Sequence, residues 1–159
     1  MTHFSLCFIF AIPLVAGVVD RVSGGAGEES DSSPPGKNYA PAADQLVVEV
    51  YVQDVKRSAT FYEKLGFKIG RQEPEFVELG WESSRLLLEQ IAGQPAPPAT
   101  LVANIRIMVP DVDRYWKLCN ELKMPVVKPI ADRYYGLRDF TVVSPDGLGV
   151  RFASRLRER

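Results

Sequence analysis

Hydrophobic and polar residues alternate between Gln45 and Gln53 in the way that a half-buried β-strand requires. One face of this strand is aliphatic and is expected to receive a helix; it carries Leu46, Val48, Val50 and Val52. From Asp54 onward the apolar positions recur at helical spacing, which predicts an amphipathic helix that is capped by Asp54 and ended by Gly66. The inner stripe of this helix consists of Val55, Ala59, Tyr62 and Leu65.

The same pattern of strand, cap and helix recurs 57 residues later. The matching pairs are Val52 and Val109, Asp54 and Asp111, Val55 and Val112, Arg57 and Arg114, and Leu65 and Leu122. Three further strand candidates follow each helix; they are residues 67–71, 76–81 and 85–91, then 126–130, 138–143 and 149–153. A repeat of this length is a duplicated supersecondary unit rather than a short solenoid repeat. The predicted fold class is therefore α+β, with two tandem βαβββ modules.

The first 24 residues differ from the rest of the chain. Residues 4–19 are almost wholly apolar, and small residues that suit a signal peptidase follow them. We expect a signal-peptide-like segment over residues 1–24 and a secreted or periplasmic protein. Because no Lys or Arg precedes the apolar run, two alternatives stay open: an uncleaved membrane anchor, or a start site assigned too far upstream in a cytoplasmic protein. Residues 25–43 are rich in Gly, Ser, Pro and acids, so we expect a flexible linker and a folded domain over residues 44–156.

Composition limits the function classes. The net charge of −1, with Lys and Arg interspersed among acids, argues against a nucleic-acid partner. The chain has two cysteines, Cys7 in the apolar segment and Cys119 in the second helix, so the domain has no internal disulfide. Cys119 lies on an apolar stripe and is expected to be a buried, inert thiol; the stripe comprises Val112, Tyr115, Trp116, Cys119 and Leu122.

Two motifs carry a family resemblance. The first, residues 52–67, reads Val-x-Asp-Val-x-Arg-Ser-x-x-Phe-Tyr-x-x-Leu-Gly-Phe, and the second, residues 135–147, reads Tyr-Gly-Leu-Arg-Asp-Phe-x-Val-x-x-Pro-Asp-Gly. Together they resemble the glyoxalase / bleomycin resistance / extradiol dioxygenase superfamily, also called vicinal oxygen chelate. The resemblance implies two βαβββ modules that form a cupped mixed sheet, a ligand cavity on the concave face and often a homodimer.

Enzymes of that superfamily hold a divalent metal on the first and last strands of each module. The resemblance places these positions at Val47, Leu87 (or Glu89 after a two-residue slip), Asn104 and Arg151. Val and Leu cannot ligate a metal, and a guanidinium repels one. The only histidine, His3, lies in the N-terminal segment. We therefore expect no metal and no other cofactor, as in the metal-free branch of the superfamily typified by bleomycin-binding proteins.

The expected ligand-binding residues combine charge with aromatic surface on the face opposite the helices. They are Glu49, Tyr51, Trp81, Asn104, Arg106, Met108, Arg138, Phe140 and Arg151. Glu49 and Arg106 occupy equivalent positions in the two copies. Either they neutralise each other across the module interface, or they orient the polar ends of a planar ligand between aromatic walls.

Three functions remain open from the sequence. The first is a metal-independent protein that binds a small organic molecule, antibiotic-like or aromatic, without chemistry. The second is an enzyme of the same superfamily, a lyase, isomerase or dioxygenase with an unusual or absent metal site. The third is a degenerate copy kept for assembly. The expected partners are a small organic ligand and a second copy of the chain, and a membrane only if the N-terminal segment is uncleaved.

Overall fold

The computed structural model describes residues 40–156. The helices are α1 (Ala42–Gln45), α2 (Val55–Lys64) and α3 (Val112–Glu121). The strands are β1 (Val48–Val52), β2 (Lys68–Glu73), β3 (Phe76–Trp81), β4 (Ser84–Gln90), β5 (Asn104–Met108), β6 (Val126–Asp132), β7 (Leu137–Val143) and β8 (Gly149–Arg155). The order strand, helix, three strands thus occurs twice, which confirms the two predicted βαβββ modules.

The two long helices begin as the sequence predicts. The Asp54 carboxylate accepts a hydrogen bond of 3.0 Å from the Arg57 amide, and the Asp111 carboxylate accepts one of 3.1 Å from the Arg114 amide. Such bonds satisfy amides of the first turn that have no partner within the helix. Past the C-terminus of α2, Gly66 adopts a φ of +105°, a backbone conformation that favours glycine.

Each module forms its own mixed four-stranded sheet. The strand order is β1-β4-β3-β2 in sheet A and β5-β8-β7-β6 in sheet B. In both sheets the first and last strands of the module are parallel neighbours, with Val50 opposite Leu88 in sheet A and Ile107 opposite Phe152 in sheet B. Equivalent strands of the two modules therefore take equivalent places, as a duplicated unit requires.

One hydrophobic core joins the helix-facing sides of both sheets. The helix stripe over Val55, Ala59, Tyr62 and Leu65 is fully or almost fully buried, as predicted. Trp81 at the end of β3 lies with its ring centroid 6.0 Å from the rings of Tyr115 and Phe152 in the second module. Each aromatic contact of this kind adds about 0.5–1.5 kcal/mol to the stabilisation that its buried area provides. These rings therefore stabilise the packing of the two modules against each other.

A polar contact also crosses between the modules. The Ser58 hydroxyl in α2 donates a hydrogen bond of 2.6 Å to the carboxylate of Asp146, in the turn between β7 and β8. Burial raises the pKa of Asp146, and the hydrogen bond from Ser58 offsets part of that rise. The neighbouring Tyr62 hydroxyl is buried without a hydrogen-bond partner among the described residues. Burial raises its pKa as well, although Ser144 lies close enough to lower it in part.

The start of the domain differs from the prediction. The first strand begins at Val48 rather than Gln45, because residues 42–45 form a helical turn that extends into the expected linker. Only the end of β1 is deeply covered: Val52 is buried, Val48 is 40% exposed and Leu46 87%. Leu122 is also 39% exposed rather than part of the buried α3 stripe.

The expected signal segment and most of the expected linker lie outside the described residues. Between Ala40 and Leu156, no helix is both long and apolar enough to span a bilayer.

Candidate functional site

The faces of the two sheets that carry no helix are the candidate binding surfaces. Because the helix-facing sides share one core, these open faces point away from it. On sheet A, Glu49 and Tyr51 are exposed and lie opposite Leu87 and Glu89 in the register of β1 and β4. On sheet B, the exposed residues of β5 are Asn104, Arg106 and Met108.

Three of the predicted site residues lie on the other side of their sheets. Phe140 is fully buried in the core, with its ring centroid 5.2 Å from that of Trp116. Trp81 belongs to the aromatic contacts between the modules. Arg138 donates hydrogen bonds to Asp113 in α3 and to Asp132. These three side chains therefore do not point to the open faces as expected, because side chains alternate along a strand and the apolar positions turn toward the helices. Trp81 nonetheless lines a concavity with Arg106 and Met108.

A row of polar side chains crosses the open face of sheet B from one edge to the other. Arg106 on β5 lies opposite Arg151 on β8, Arg151 lies opposite Thr141 on β7, and Thr141 lies opposite Lys128 on β6. These four residues form the cross-strand row. The Arg151 side chain donates a long hydrogen bond of 3.4 Å to the Thr141 hydroxyl. Arg151 is half-buried, whereas Arg106 and Lys128 are exposed.

A buried carboxylate lies on the same open face. Asp139, 1% exposed, accepts a hydrogen bond of 2.7 Å from the guanidinium of Arg133 and one of 2.6 Å from the Tyr135 hydroxyl. Burial by itself would raise the pKa of Asp139, but these two hydrogen bonds and the positive charges of Arg133 and Arg151 hold it below its usual value. The hydrogen bond to Asp139 raises the pKa of Tyr135. The negative charge of Asp139 is therefore already compensated within this hairpin.

A cavity of about 520 Å³ opens beside the row. Arg151, Thr141 and Lys128 contribute to its floor together with Asn104, and the segment that connects the modules, residues 98–103, forms a wall. The complete lining comprises Pro98, Ala99, Thr100, Leu101, Val102, Ala103, Asn104, Val127, Lys128, Thr141, Val143 and Arg151. The cavity thus combines an apolar wall with a polar floor.

Two glycines let the connecting segment pack closely at this cavity. A Cβ on Gly149 would come within 2.9 Å of Asn104 Cβ and 3.3 Å of the Ala103 carbonyl oxygen. A Cβ on Gly147, whose φ is +80°, would lie 2.6 Å from Pro97 Cβ. Any larger residue would displace the segment, so these glycines set the position of the cavity wall.

Two further concavities of the described residues are notable, one for the predicted residues that line it and one for its volume. One of about 420 Å³ brings together the predicted residues Trp81, Arg106 and Met108 near the start of β1 and along β5. The other, about 660 Å³, lies between the end of α2 and α3. It is lined largely by charged side chains such as Lys117, which pairs with Glu121 along the same helix.

The residues at the inferred metal positions do not fit a divalent metal. Val47 and Leu87 offer no donor atom, and Arg151 lies beside a second guanidinium, that of Arg106. Within residues 40–156, no three His, Cys, Asp or Glu side chains are grouped so that they could hold a metal ion. If Glu49 and Glu89 alone bound a divalent ion, water would have to supply most of its other ligands.

Sequence reasoning missed Thr141, Lys128 and the connecting segment as parts of the site. The alternation along β7 contained a usable signal, since Phe140 and Val142 are apolar whereas Asp139 and Thr141 are polar. Lys128 had no such signal, because β6 has register shifts on both sides of it. The predicted placement on the open faces holds for Asn104, Arg106, Met108, Arg151, Glu49 and Tyr51, and their role in ligand binding stays a prediction.

Comparison with known proteins identifies relatives of the domain. The family model for the glyoxalase/bleomycin resistance protein/dioxygenase superfamily matches residues 44–152. A glyoxalase/bleomycin resistance protein/dioxygenase from Nocardioides is 16% identical, with a TM-score of 0.62 over 76% of this chain and 87% of that one. The bleomycin resistance determinant encoded on transposon Tn5 is 19% identical, with a TM-score of 0.60 over 72% of this chain and 99% of that one. TioX from Micromonospora sp. ML1 is 22% identical, with a TM-score of 0.59 over 70% and 98%. No curated protein shows a match to the chain.

Proposed function

Since the chain belongs to the glyoxalase/bleomycin resistance protein/dioxygenase superfamily, we propose that it is a metal-independent protein that binds a small organic molecule, antibiotic-like or aromatic. The observation that carries this proposal is the cavity of about 520 Å³ on sheet B. Small-molecule sites are typically concavities of about 300–1,000 Å³ with apolar walls and a few placed polar groups. Leu101, Val127 and Val143 supply the walls, and Thr141 and Arg151 supply polar groups.

Metal independence is supported by the donor chemistry of the inferred ligand positions. A divalent ion at Arg151 would face two neighbouring guanidinium groups, since Arg106 lies opposite Arg151 on the adjacent strand. On the open face of sheet A, the carboxylates of Glu49, Glu78 and Glu89 surround Leu87, but no three such groups within residues 40–156 are arranged to hold a metal ion. Neither arrangement resembles the three or four protein ligands of a catalytic metal centre.

The enzyme alternative, a lyase, isomerase or dioxygenase, has less support. Catalytic acids and bases are expected to lie in the cavity with altered pKa values. The groups whose pKa is raised chiefly by burial lie elsewhere: Tyr62 and Asp146 at the module interface, and Cys119 in the core, whose pKa is about 11. On the open face, Asp139 and Tyr135 have altered pKa values, but they do not line the cavity, and each is hydrogen-bonded to the other. A thiol with so high a pKa is not a nucleophile at neutral pH.

The proposal includes a homodimer. Large apolar side chains are exposed near the edge strands of both sheets: Leu46 is 87% exposed, Tyr51 51% and Met108 48%. Burying such side chains against a second copy would release about 25 cal/mol for each Å² of apolar surface removed from water. Light scattering coupled to size-exclusion chromatography measures the mass directly, and a monomer at all concentrations would refute this part.

A thermal-shift screen of the full chain tests the binding function. The protein is treated with a chelator and then screened with aromatic and antibiotic-like compounds, and separately with Zn²⁺, Ni²⁺ and Mn²⁺. A ligand present at 100 times its dissociation constant stabilises the folded state by about 2.7 kcal/mol. We expect stabilisation by one or more organic compounds and none by the metals. Stabilisation by a metal alone would refute metal independence, and no response to any compound would remove support for binding.

A further inference from the structure

We propose that the cross-strand row of Arg106, Arg151, Thr141 and Lys128 is an oxyanion site. Its ligand would carry a carboxylate or phosphate-type group on an apolar body. This inference rests on the proposed function, because it names the chemical class of the ligand that the sheet B cavity takes.

The positions of the residues in the row argue that they do more than stabilise the sheet. Neighbouring strands lie about 4.8 Å apart, so the residues opposite each other on β5 and β8 bring two guanidinium groups close together. Like charges at directly opposed positions of a sheet destabilise it. None of the ion pairs within residues 40–156 involves Arg106, Arg151 or Lys128. In this part of the chain no carboxylate forms an ion pair with any of the three, although the positive charge of Arg151 helps to lower the pKa of Asp139.

The nearby Asp139 interacts with Arg151 electrostatically but forms no ion pair with it. Its two oxygens accept hydrogen bonds from Arg133 and Tyr135, and the Arg133 ion pair of 2.7 Å already neutralises it. The Arg151 side chain, by contrast, makes only the 3.4 Å hydrogen bond to Thr141 with residues 40–156. A guanidinium carries five N–H donors in a planar fork that matches two oxygens of a carboxylate or phosphate. Arg151 therefore has donors to offer to a ligand.

The position equivalent to Arg106 in the first module carries the opposite charge, and the one equivalent to Arg151 is the uncharged Leu87. Glu49 takes the place of Arg106 in the repeat, and it lies in a row with Leu87 and Glu78. Glu78 is 3.9 Å from Arg85, so part of this acidic row is compensated within sheet A. A common structural need of the fold would place similar residues at both positions. The reversal of charge indicates instead that the preference for an anion belongs to the second module alone.

The lining of the cavity also indicates the chemistry of the rest of the ligand. Apart from the row residues, Asn104 and Thr100, its lining is apolar, with Leu101 and Pro98 from the connecting segment and Val127 and Val143 from β6 and β7. An ion such as free phosphate would leave this surface unfilled. An amphiphilic anion would place its oxygens on the row and its apolar body against the wall.

Two fluorescent probes with the same aromatic skeleton separate these contributions. One is 8-anilinonaphthalene-1-sulfonate, and the other is N-phenyl-1-naphthylamine, which lacks the sulfonate. The full chain is titrated with each probe, as are the variants Arg151→Gln and Lys128→Gln. The matched control is Lys117→Gln, which removes the same charge from α3, where Lys117 is exposed and 3.9 Å from Glu121. Lys128 is exposed, so its variant tests the site even if Arg151→Gln impairs folding.

We expect the sulfonate to bind at least tenfold more tightly than the uncharged probe, a difference of about 1.4 kcal/mol. Both row variants should weaken sulfonate binding severalfold to tenfold without changing that of the uncharged probe, whereas Lys117→Gln should match the wild type. Raising NaCl to about 1 M, where the Debye length is about 3 Å, should weaken only sulfonate binding. Displacement by benzoate alone would assign a carboxylate ligand, and displacement by inorganic phosphate a phosphate-type ligand.

Equal affinities for the two probes, with no effect of the row variants, would overturn the oxyanion site and leave the binding function standing. Absence of saturable sulfonate binding would also overturn the oxyanion site. The thermal-shift screen against uncharged and cationic compounds then decides the proposed function separately.

Discussion

The buried carboxylate of Asp139 gives the most decisive test of the packing on the open face of sheet B. In Asp139→Ala, the guanidinium of Arg133 and the hydroxyl of Tyr135 lose the partners that they hold at 2.7 and 2.6 Å. Breaking a buried pair by removing one member costs about 3–5 kcal/mol. Arg133 is itself 27% exposed and can regain some hydration. We therefore expect the lower end of that range, about 3 kcal/mol.

The same hairpin offers a matched control. Asp132 also pairs with an arginine, Arg138, at 2.8 Å, but its side chain is 60% exposed. Exposed pairs contribute about 0–1 kcal/mol, and Arg138 keeps its second partner Asp113. Asp132→Ala should therefore lower the free energy of unfolding by less than about 1 kcal/mol. Urea denaturation, monitored by circular dichroism, measures the free energy of unfolding of both variants. The slope of that free energy against urea concentration should stay unchanged if only stability has altered.

The difference between wild type and Asp139→Ala should depend on pH. Because the pKa of Asp139 is below its ordinary value of 3.8 in the folded state, its stabilisation is complete above that value. It is lost as the pH falls through the lowered pKa, so the two proteins should converge in stability at strongly acidic pH. Equal destabilisation by the two aspartate variants, or a difference that grows as the pH falls, would refute the reasoning.

Three further predictions concern the module interface, the cavity wall and the metal. Glu49→Ala and Arg106→Ala should each lower the free energy of unfolding, measured in urea, by about 1 kcal/mol or less, because both residues are exposed and no ion pair joins them. If each single variant loses much stability and the double variant recovers it, the two residues form a structural pair. Gly149→Ala should lower stability by about 1–3 kcal/mol, since its Cβ would meet Asn104 at 2.9 Å. Gly80→Ala is the control, with its closest contact at 3.8 Å, and equal stability of the two variants would contradict the proposed close packing. After exposure to Zn²⁺, Ni²⁺ and Mn²⁺ and gel filtration, elemental analysis should find well under one metal per chain; one tightly held ion per chain would contradict metal independence.

The sequence predicted those features that short stretches of chain decide. The caps at Asp54 and Asp111, the turn at Gly66 and the buried stripe of α2 depend on residues within a few positions of each other. Local hydrogen bonds and helical periodicity can be predicted from the order of residues alone. The duplication could be predicted for the same reason, because each module repeats the same local pattern of strand, cap and helix.

The candidate site depended on contacts between distant residues. Phe140 was expected in a cavity, yet it is packed between sheet and helix. Trp81 lines the concavity of about 420 Å³, but its ring also packs near Tyr115 and Phe152 of the other module. A strand has two faces, and a shift of one residue exchanges them, so the assignment depends on which face the rest of the chain covers. The alternation of Phe140 and Val142 with polar neighbours would have corrected one of these positions.

By itself, then, the sequence determined two βαβββ modules, their helix caps and most of their helix stripes, because these depend on local geometry. Only the tertiary structure decided that Arg106 and Arg151 lie side by side with Thr141 and Lys128 across four strands. It also decided that the connecting segment closes a cavity against Gly149. Strand register and the packing of one module on the other join residues far apart in the chain, and no local pattern specifies which of them meet.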